Sequence, residues 1–407
     1  MLLYQAYEFQ RHLAQPVRMW ANFLEQAYTS PYNPLAETWF GKSMAAGAEI
    51  VARLTQNYGK PAFGLNFTTI DGQDVAVNEE ILLTKPFCRL LRFHRDTVRK
   101  DPKVLVVAPM SGHYATLLRG TVEALLPEHD VHITDWTDAR EVPLALGNFD
   151  LDDYVDYVVE FCRYLGPDVH VIAVCQPSVP VLAATALMAA AGETAPLSLT
   201  LMGGSIDARR SPTPVNDFAG SHSLRWFETN LIHEVPTQYP GHGRRVYPGF
   251  LQHAGFMAMN PLRHFSSHWD FYMHLVDGDL QSAEEHRRFY DEYNAVLDMP
   301  ADYYLDNIRI VFHEHLLPRG LWTIGGARVA PEAITRSALL TIEGEHDDIS
   351  GVDQTRAAHD LCRGIPAANK HHMTVEGAGH YGIFSGRRWR TQVYPQVRDF
   401  IAQYAAS

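Results

Sequence analysis

Six residues, Val169-His170-Val171-Ile172-Ala173-Val174, read as a short buried strand, and they run directly into Cys175-Gln176-Pro177. The stretch from Gln176 to about Ala191 then reads as a helix. A strand, a tight turn, a nucleophilic side chain and a helix together form a nucleophile elbow. The turn lifts the side chain above the carboxyl edge of a parallel sheet. It also aims the sulfur at a helix N-terminus, where the dipole and free N–H groups favour a thiolate. The usual elbow is G-x-S-x-G, and here Ala173 and Pro177 replace both glycines. Ala is still small enough for the crowded turn. Pro in the first helical turn gives up an N–H that has no helical partner anyway. A buried structural cysteine is the competing reading of Cys175 by itself, since free Cys is among the most buried residue types.

The flanking segments extend the pattern. Val104 to Pro109 and His132 to Trp136 read as strands, a helix spans about Leu151 to Leu165, and Leu197 to Gly204 is a further strand. Strands alternating with helices of this length predict an α/β-hydrolase fold, a mostly parallel sheet with helices on both faces. Phe67 to Val77 alternates with period two around Asp71-Gly72, a hairpin signal at the leading edge. The rhythm stops over residues 205–336, a segment rich in aromatics, His and Arg and too long to be a structureless loop. It reads as a largely helical cap inserted over the site. The sheet resumes at Ser337 to Gly344 and again at His372 to Val375. The division is therefore an N-terminal helical segment 1–60, a first core part 61–204, the cap 205–336 and a second core part 337–407. In the N-terminal segment Tyr4, Tyr7, Phe9, Trp20, Phe23, Leu24 and Tyr28 recur at roughly helical spacing. Such a stripe is core packing or a surface segment that touches an apolar partner.

Two further groups complete a catalytic reading. After the penultimate strand comes Gly344-Glu345-His346-Asp347-Asp348-Ile349, and the G-x-x-D-x-I spacing selects Asp347 as the acid, with Asp348 as a helix cap. After the last strand a Gly-rich loop carries His380. Nucleophile, acid and base in that order, each at the carboxyl end of a strand, is the hydrolase order. His380 would take the Cys175 proton, and Asp347 would fix its tautomer. The amide of Gln176 would be one oxyanion donor. Met110 or Ser111, beside Gly112, would supply the other. His113 reads equally as an active-site residue or as a solvent-facing residue at a helix start. His242, His253, His264 and His268 fall in no ligand pattern, so no metal is predicted, nor any other cofactor.

Bulk properties narrow the partners. The net charge is −13 with no long basic stripe, which opposes nucleic-acid binding. Cys88, Cys162, Cys175 and Cys362 are widely spaced and need no disulfide framework, which fits a cytoplasmic setting. The N-terminus lacks a basic region followed by an apolar stretch, so no secretion signal is expected. The most apolar segment, Val179 to Gly192, is too short for a membrane span.

Longer strings carry a resemblance. They include Tyr4 to Arg11, Ser111-Gly112-His113, Thr134-Asp135-Trp136, Val174-Cys175-Gln176-Pro177, Pro240 to Phe256, Phe289 to Met299 and Gly379 to Arg390. Through these the chain resembles the intracellular polyhydroxyalkanoate, or poly(3-hydroxybutyrate), depolymerases essentially end to end. The resemblance implies a cysteine nucleophile at Cys175, the acid at Asp347 and the base at His380. It further implies attack on amorphous storage polyester at granule surfaces, releasing 3-hydroxybutyrate or short oligomers. A polyester chain is uncharged and moderately apolar, so a minority of the cap aromatics Tyr239, Tyr247, Phe250, Phe256, Trp269 and Tyr272 would line a crevice for one chain, the rest being cap core. Three rivals remain. One is thiolysis with coenzyme A, for which Arg209-Arg210 and Arg244-Arg245 are candidate phosphate partners. Another is a polyester synthase, whose elbow resembles G-x-C-x-G, unlike this one. The last is a non-catalytic granule-surface protein.

Overall fold

The structure is a computed structural model that describes residues 2–259 and 261–405. Its frame is a nine-stranded sheet: β1 (Phe67–Ile70), β2 (Gln73–Thr84), β3 (Cys88–Arg95), β4 (Lys103–Val107), β5 (Asp130–Trp136), β6 (Val169–Val174), β7 (Ser198–Met202), β8 (Ala338–Gly344) and β9 (Lys370–Val375). The spatial order is β1-β2-β3-β5-β4-β6-β7-β8-β9. The first three strands and their junction with β5 are antiparallel. Every junction from β5 onward is parallel. All residues of β6 and β8 are buried, as expected of strands covered on both faces. The β1–β2 turn uses Asp71 and Gly72 at φ +51° and +80°, the left-handed pair that a two-residue hairpin requires. The apolar stretch from Ile81 to Phe93 is not one strand; the chain reverses over Lys85–Phe87 between antiparallel β2 and β3.

Two long helices precede the sheet, α1 (Leu2–Thr29) and α2 (Trp39–Leu54). Helices α3 (Arg119–Leu125), α4 (Leu151–Leu165), α5 (Ser178–Ala190) and the closing helix Tyr394–Tyr404 cover the sheet. Helix α4 shows why these boundaries fall where they do. Asp150 and Asp153 form a reciprocal capping box at its start, and Gly166 at φ +90° ends it. The α5 helix is apolar all round because it is buried between α4 and the sheet.

Among the described residues between Met202 and Ala338, no strand joins the large sheet. That stretch holds α6 (Pro214–Ser221), α7 (Leu224–Leu231), α8 (Gly249–Met259), α9 (Pro261–Asp277), α10 (Leu280–Asn294) and α11 (Ala301–Asp306). A small antiparallel sheet of Met299–Pro300, Arg245–Tyr247 and His233–Glu234 ties them together. The helical-looking run from Tyr303 to His315 is not one regular helix: α11 ends at Asp306 and a wide helical turn continues to His313. After β8 the only α-helical turn among the described residues before β9 is Ala358–Leu361. Helix α1 is anchored to this region by Tyr4, whose hydroxyl donates to buried Asp298 at 2.5 Å. No helix among the described residues is long and apolar enough to cross a membrane.

Candidate active site

Cys175 stands at the end of β6 with φ +67°, a left-handed conformation that a residue with a Cβ adopts only under constraint. The constraint is visible. Its N–H donates to the Met202 carbonyl at 2.6 Å, and its carbonyl accepts from Ser178 N at 3.0 Å. The turn is crowded from the β7 side. A Cβ added to Gly204 would lie 2.2 Å from Ser178 Cβ and 2.7 Å from the Cys175 carbonyl oxygen. The close approach that elbow glycines usually permit is thus permitted here by Gly203-Gly204 on the neighbouring strand. Sequence reasoning treated that pair only as a strand end. Its position after the strand beside the elbow was the available signal.

The four thiols differ in setting. Cys88, Cys162 and Cys362 are buried, while Cys175 is partly exposed. Burial pushes the Cys162 and Cys362 thiols up to about 12 and that of Cys88 well above its ordinary value. A neutral, enclosed thiol is a poor nucleophile.

The structure brings Asp347 and His380 to Cys175. His380 Nδ1 lies 2.8 Å from Asp347 Oδ2, and the aspartate side chain is fully buried. Asp347 Oδ1 accepts the N–H groups of Ile349 and Ser350, each at 2.9 Å, so the carboxylate cannot swing away. Burial of His380 disfavours its charge, but the negative charges of Cys175 and Asp347 and hydrogen bonds to both raise its proton affinity well above the ordinary value. A charged imidazole ring held between the Asp347 carboxylate and Cys175 is what this geometry stabilises.

The site opens into a cavity of about 500 Å³. Cys175, Gln176, Ser111, His113 and His380 line one side, and Phe218, Tyr247, Phe256 and Tyr304 line the apolar remainder. Among its described lining residues there is no Lys, Arg, Asp or Glu. Of the two candidates for the second oxyanion donor, Ser111 borders the cavity, whereas Met110 is fully buried beneath it. Gly112 has φ +97°, and a Cβ there would meet Gln252 Oε1 at 2.7 Å, so the loop is held close to α8. Gln176 is itself held: its Oε1 accepts the Tyr303 hydroxyl at 2.8 Å. Neither Gln252 nor Tyr303 was singled out from sequence, because each lies far along the chain from the residue it holds.

His113 does not face solvent. It is buried against Phe256 and Tyr293, Tyr293 O lies 3.1 Å from its Nε2, and burial pushes it down to about 4. Of the six aromatics proposed for substrate, Phe256 lines this cavity and Tyr272 packs on Trp269; the other four are divided. Tyr247 lines the catalytic cavity. Tyr239 and Phe250 line a separate, more polar recess of about 1140 Å³. The reason is that α8 walls both spaces, with Gln252, Gly255 and Phe256 on one face and Phe250, His253 and Met257 on the other. Trp269 lies in neither; it is exposed on α9, stacked on Tyr272.

The arginines considered for a phosphate have internal partners. Arg209 pairs with Asp207, Arg210 with Asp360, and Arg245 with Glu228. Arg244 is buried and donates to the carbonyls of Val142, Pro143 and Gly147. Of the cap histidines, His253 bonds Asn294 and His264 meets Tyr290. No group of three or more His, Cys, Asp or Glu among the described residues is arranged to hold a metal ion.

Residues 203–405 match the family model described as PHB de-polymerase C-terminus. No curated protein matches the chain. Among solved structures it is similar to a putative lipase from Acinetobacter baumannii, at 11% identity over 80% of this chain and 93% of that one, with a TM-score of 0.44. It is also similar to a thermophilic esterase from Thermogutta terrifontis, at 13% identity over 84% and 98%, TM-score 0.43. A monoacylglycerol lipase from Paleococcus ferrophilus gives 11% identity over 74% and 95%, TM-score 0.41.

Proposed function

Given that this chain belongs to the PHB depolymerase family and is an ester hydrolase, we propose that it cleaves amorphous poly(3-hydroxybutyrate) through a Cys175–His380–Asp347 triad. The observation that carries the reading is the cavity. A part-exposed Cys175 paired to a charged imidazole opens into a space whose described lining has no Lys, Arg, Asp or Glu. Such a space suits an uncharged acyl chain and gives a coenzyme A phosphate nothing to bind.

In the proposed reaction the Cys175 thiolate attacks the ester carbonyl carbon. The developing oxyanion is met by the Gln176 amide and an amide at Ser111. The C–O bond to the leaving chain breaks, and His380 gives that alkoxide its proton. What remains is a 3-hydroxyacyl thioester on Cys175. Water then attacks the thioester and yields its proton to His380, releasing the hydroxy acid and restoring the thiolate–imidazolium pair. Asp347 stays ionised throughout and holds the ring. The polymer itself, at the surface of a storage granule, is the proposed partner.

The test is product identification. Purified protein is incubated with amorphous poly(3-hydroxybutyrate), with and without coenzyme A. Free 3-hydroxybutyrate or short oligomers in both samples support the reading. Acyl-coenzyme A formed only when coenzyme A is present would replace water as the acceptor. No soluble product in either sample would contradict depolymerisation.

A further inference from the structure

The cavity leaves unexplained what covers the outside of the molecule. Helix α1 turns Phe9, Leu13, Trp20 and Phe23 to solvent, each at least 60% exposed. They fall within one stripe of the helix, while Tyr4 and Ala21 on the other side are buried. Helix α9 does the same with Leu262, Phe265, Trp269 and Met273, spaced to lie on one face, with Leu262 83% and Phe265 72% exposed. Helix α2 packs against both and exposes Trp39, Phe40 and Leu54. Isolated exposed apolar residues are ordinary, but stripes on three neighbouring helices mark a surface that meets something apolar.

Charge narrows the occupant. The three helices carry five cationic and five acidic side chains, and α1 has no lysine, in a chain whose net charge is −13. Helices that lie on anionic bilayers carry a Lys/Arg-rich polar face, which this surface lacks. A neutral apolar face on an acidic protein fits an uncharged apolar surface. On the side away from this stripe, α1 reaches the helix that walls the site. Tyr7 of α1 stacks on Phe250 of α8 with ring centroids 4.0 Å apart, and Phe256 of the same helix lines the catalytic cavity.

We infer that the α1–α2–α9 face adsorbs to the surface of a water-insoluble, uncharged aliphatic polyester. This rests on the polyester reading above. A solid cannot diffuse into a cavity of about 500 Å³, so its chains must be taken from a surface on which the protein already sits. The α1–α2–α9 surface is then part of how the polymer is used and takes no part in the chemistry.

The experiment compares wild type with the triple variant Phe9→Gln, Trp20→Gln, Phe23→Gln. A second variant, Leu262→Gln with Phe265→Gln, covers the case in which the first does not fold. Adsorption is read by co-sedimentation with amorphous polyester particles and, in parallel, with phosphatidylcholine vesicles. Oligomeric state is read by light scattering. Turnover is read on the particles and on a soluble p-nitrophenyl ester. The inference predicts adsorption and particle turnover reduced at least tenfold, with soluble-ester turnover unchanged. Equal adsorption and particle turnover by wild type and both variants would overturn it and leave the depolymerase reading standing. A wild-type dimer that the variants dissociate would assign the face to a second copy, and stronger retention on vesicles would assign it to lipid; either overturns the inference. Wild type that adsorbs through this face and cleaves the soluble ester but releases nothing from particles would keep the docking face and remove the depolymerase reading.

Discussion

His380 Nδ1 and Asp347 Oδ2 sit 2.8 Å apart with the carboxylate out of contact with solvent, and two backbone N–H groups fix the other carboxylate oxygen. A buried carboxylate with so few alternatives acts on its neighbour. It commits the proton of Nδ1 and leaves Nε2 to face the thiol.

Asp347→Asn should keep the geometry and remove the charge. Turnover is expected to fall roughly 10²–10⁴-fold, as when a triad acid is neutralised. The His380 ring, whose proton affinity is raised by the negative charges of Cys175 and Asp347 against the cost of burial, should then titrate at lower pH. Nuclear magnetic resonance of the histidine ring protons reads this directly. An unchanged His380 titration would show that Asp347 is not its electrostatic partner.

The elbow makes a separate prediction. Gly204→Ala places a methyl group 2.2 Å from Ser178 Cβ and 2.7 Å from the Cys175 carbonyl. Both contacts are far inside van der Waals distance. Overpacking of this kind costs about 1–3 kcal/mol. The thermal midpoint should fall, and turnover should fall further than the lost stability explains, because the strand that moves carries the nucleophile's backbone partner, Met202 O. Gly220→Ala is the control, since a Cβ there meets nothing within 4 Å.

Acid should weaken the helices α9 and α10. His286 stacks on Phe271 with centroids 4.2 Å apart, and burial, followed by the nearby His268, Arg53, His274 and Arg287, pushes its ring down to about 3 from an ordinary 6.5. The unfolded chain therefore binds a proton that the folded chain refuses. The stability His286 contributes is complete above about 6.5 and drains away as pH falls toward 3. His286→Phe keeps the stack and removes that linkage. The difference in thermal midpoint between pH 7 and pH 4.5 should be smaller for this variant than for wild type. An equal or larger difference would assign the acid sensitivity to other groups.

Much of the frame was legible because it depends on local pattern. The apolar run before Cys175 could only be a covered strand, and the Asp71-Gly72 pair could only be a tight reversal. The positions of Cys175, Asp347 and His380 at the ends of β6, β8 and β9 follow from the same pattern, which is why the chain order was informative. What stayed hidden depends on packing between distant segments. Nothing near Gln176 announces that Tyr303 will hold it. Nothing near Phe250 shows that α8 is a wall with different spaces on its two faces, so Tyr239 and Phe250 were grouped with Tyr247 by type alone. The strands His233–Glu234 and Met299–Pro300 have two residues each, too short to carry a period. The exposed stripe of α1 has the spacing of a core-facing helix. Only the structure shows that Phe9, Trp20 and Phe23 point away from the core.

The central claim is that Cys175 carries the acyl group. The most direct measurement is mass spectrometry of protein quenched in acid during turnover of a 3-hydroxybutyrate oligomer, with the adduct located by peptide mapping. The account predicts a 3-hydroxyacyl group on the peptide that contains Cys175, absent from Cys175→Ala, which should also lose turnover. An acyl group on another residue, or undiminished turnover by Cys175→Ala, would contradict it.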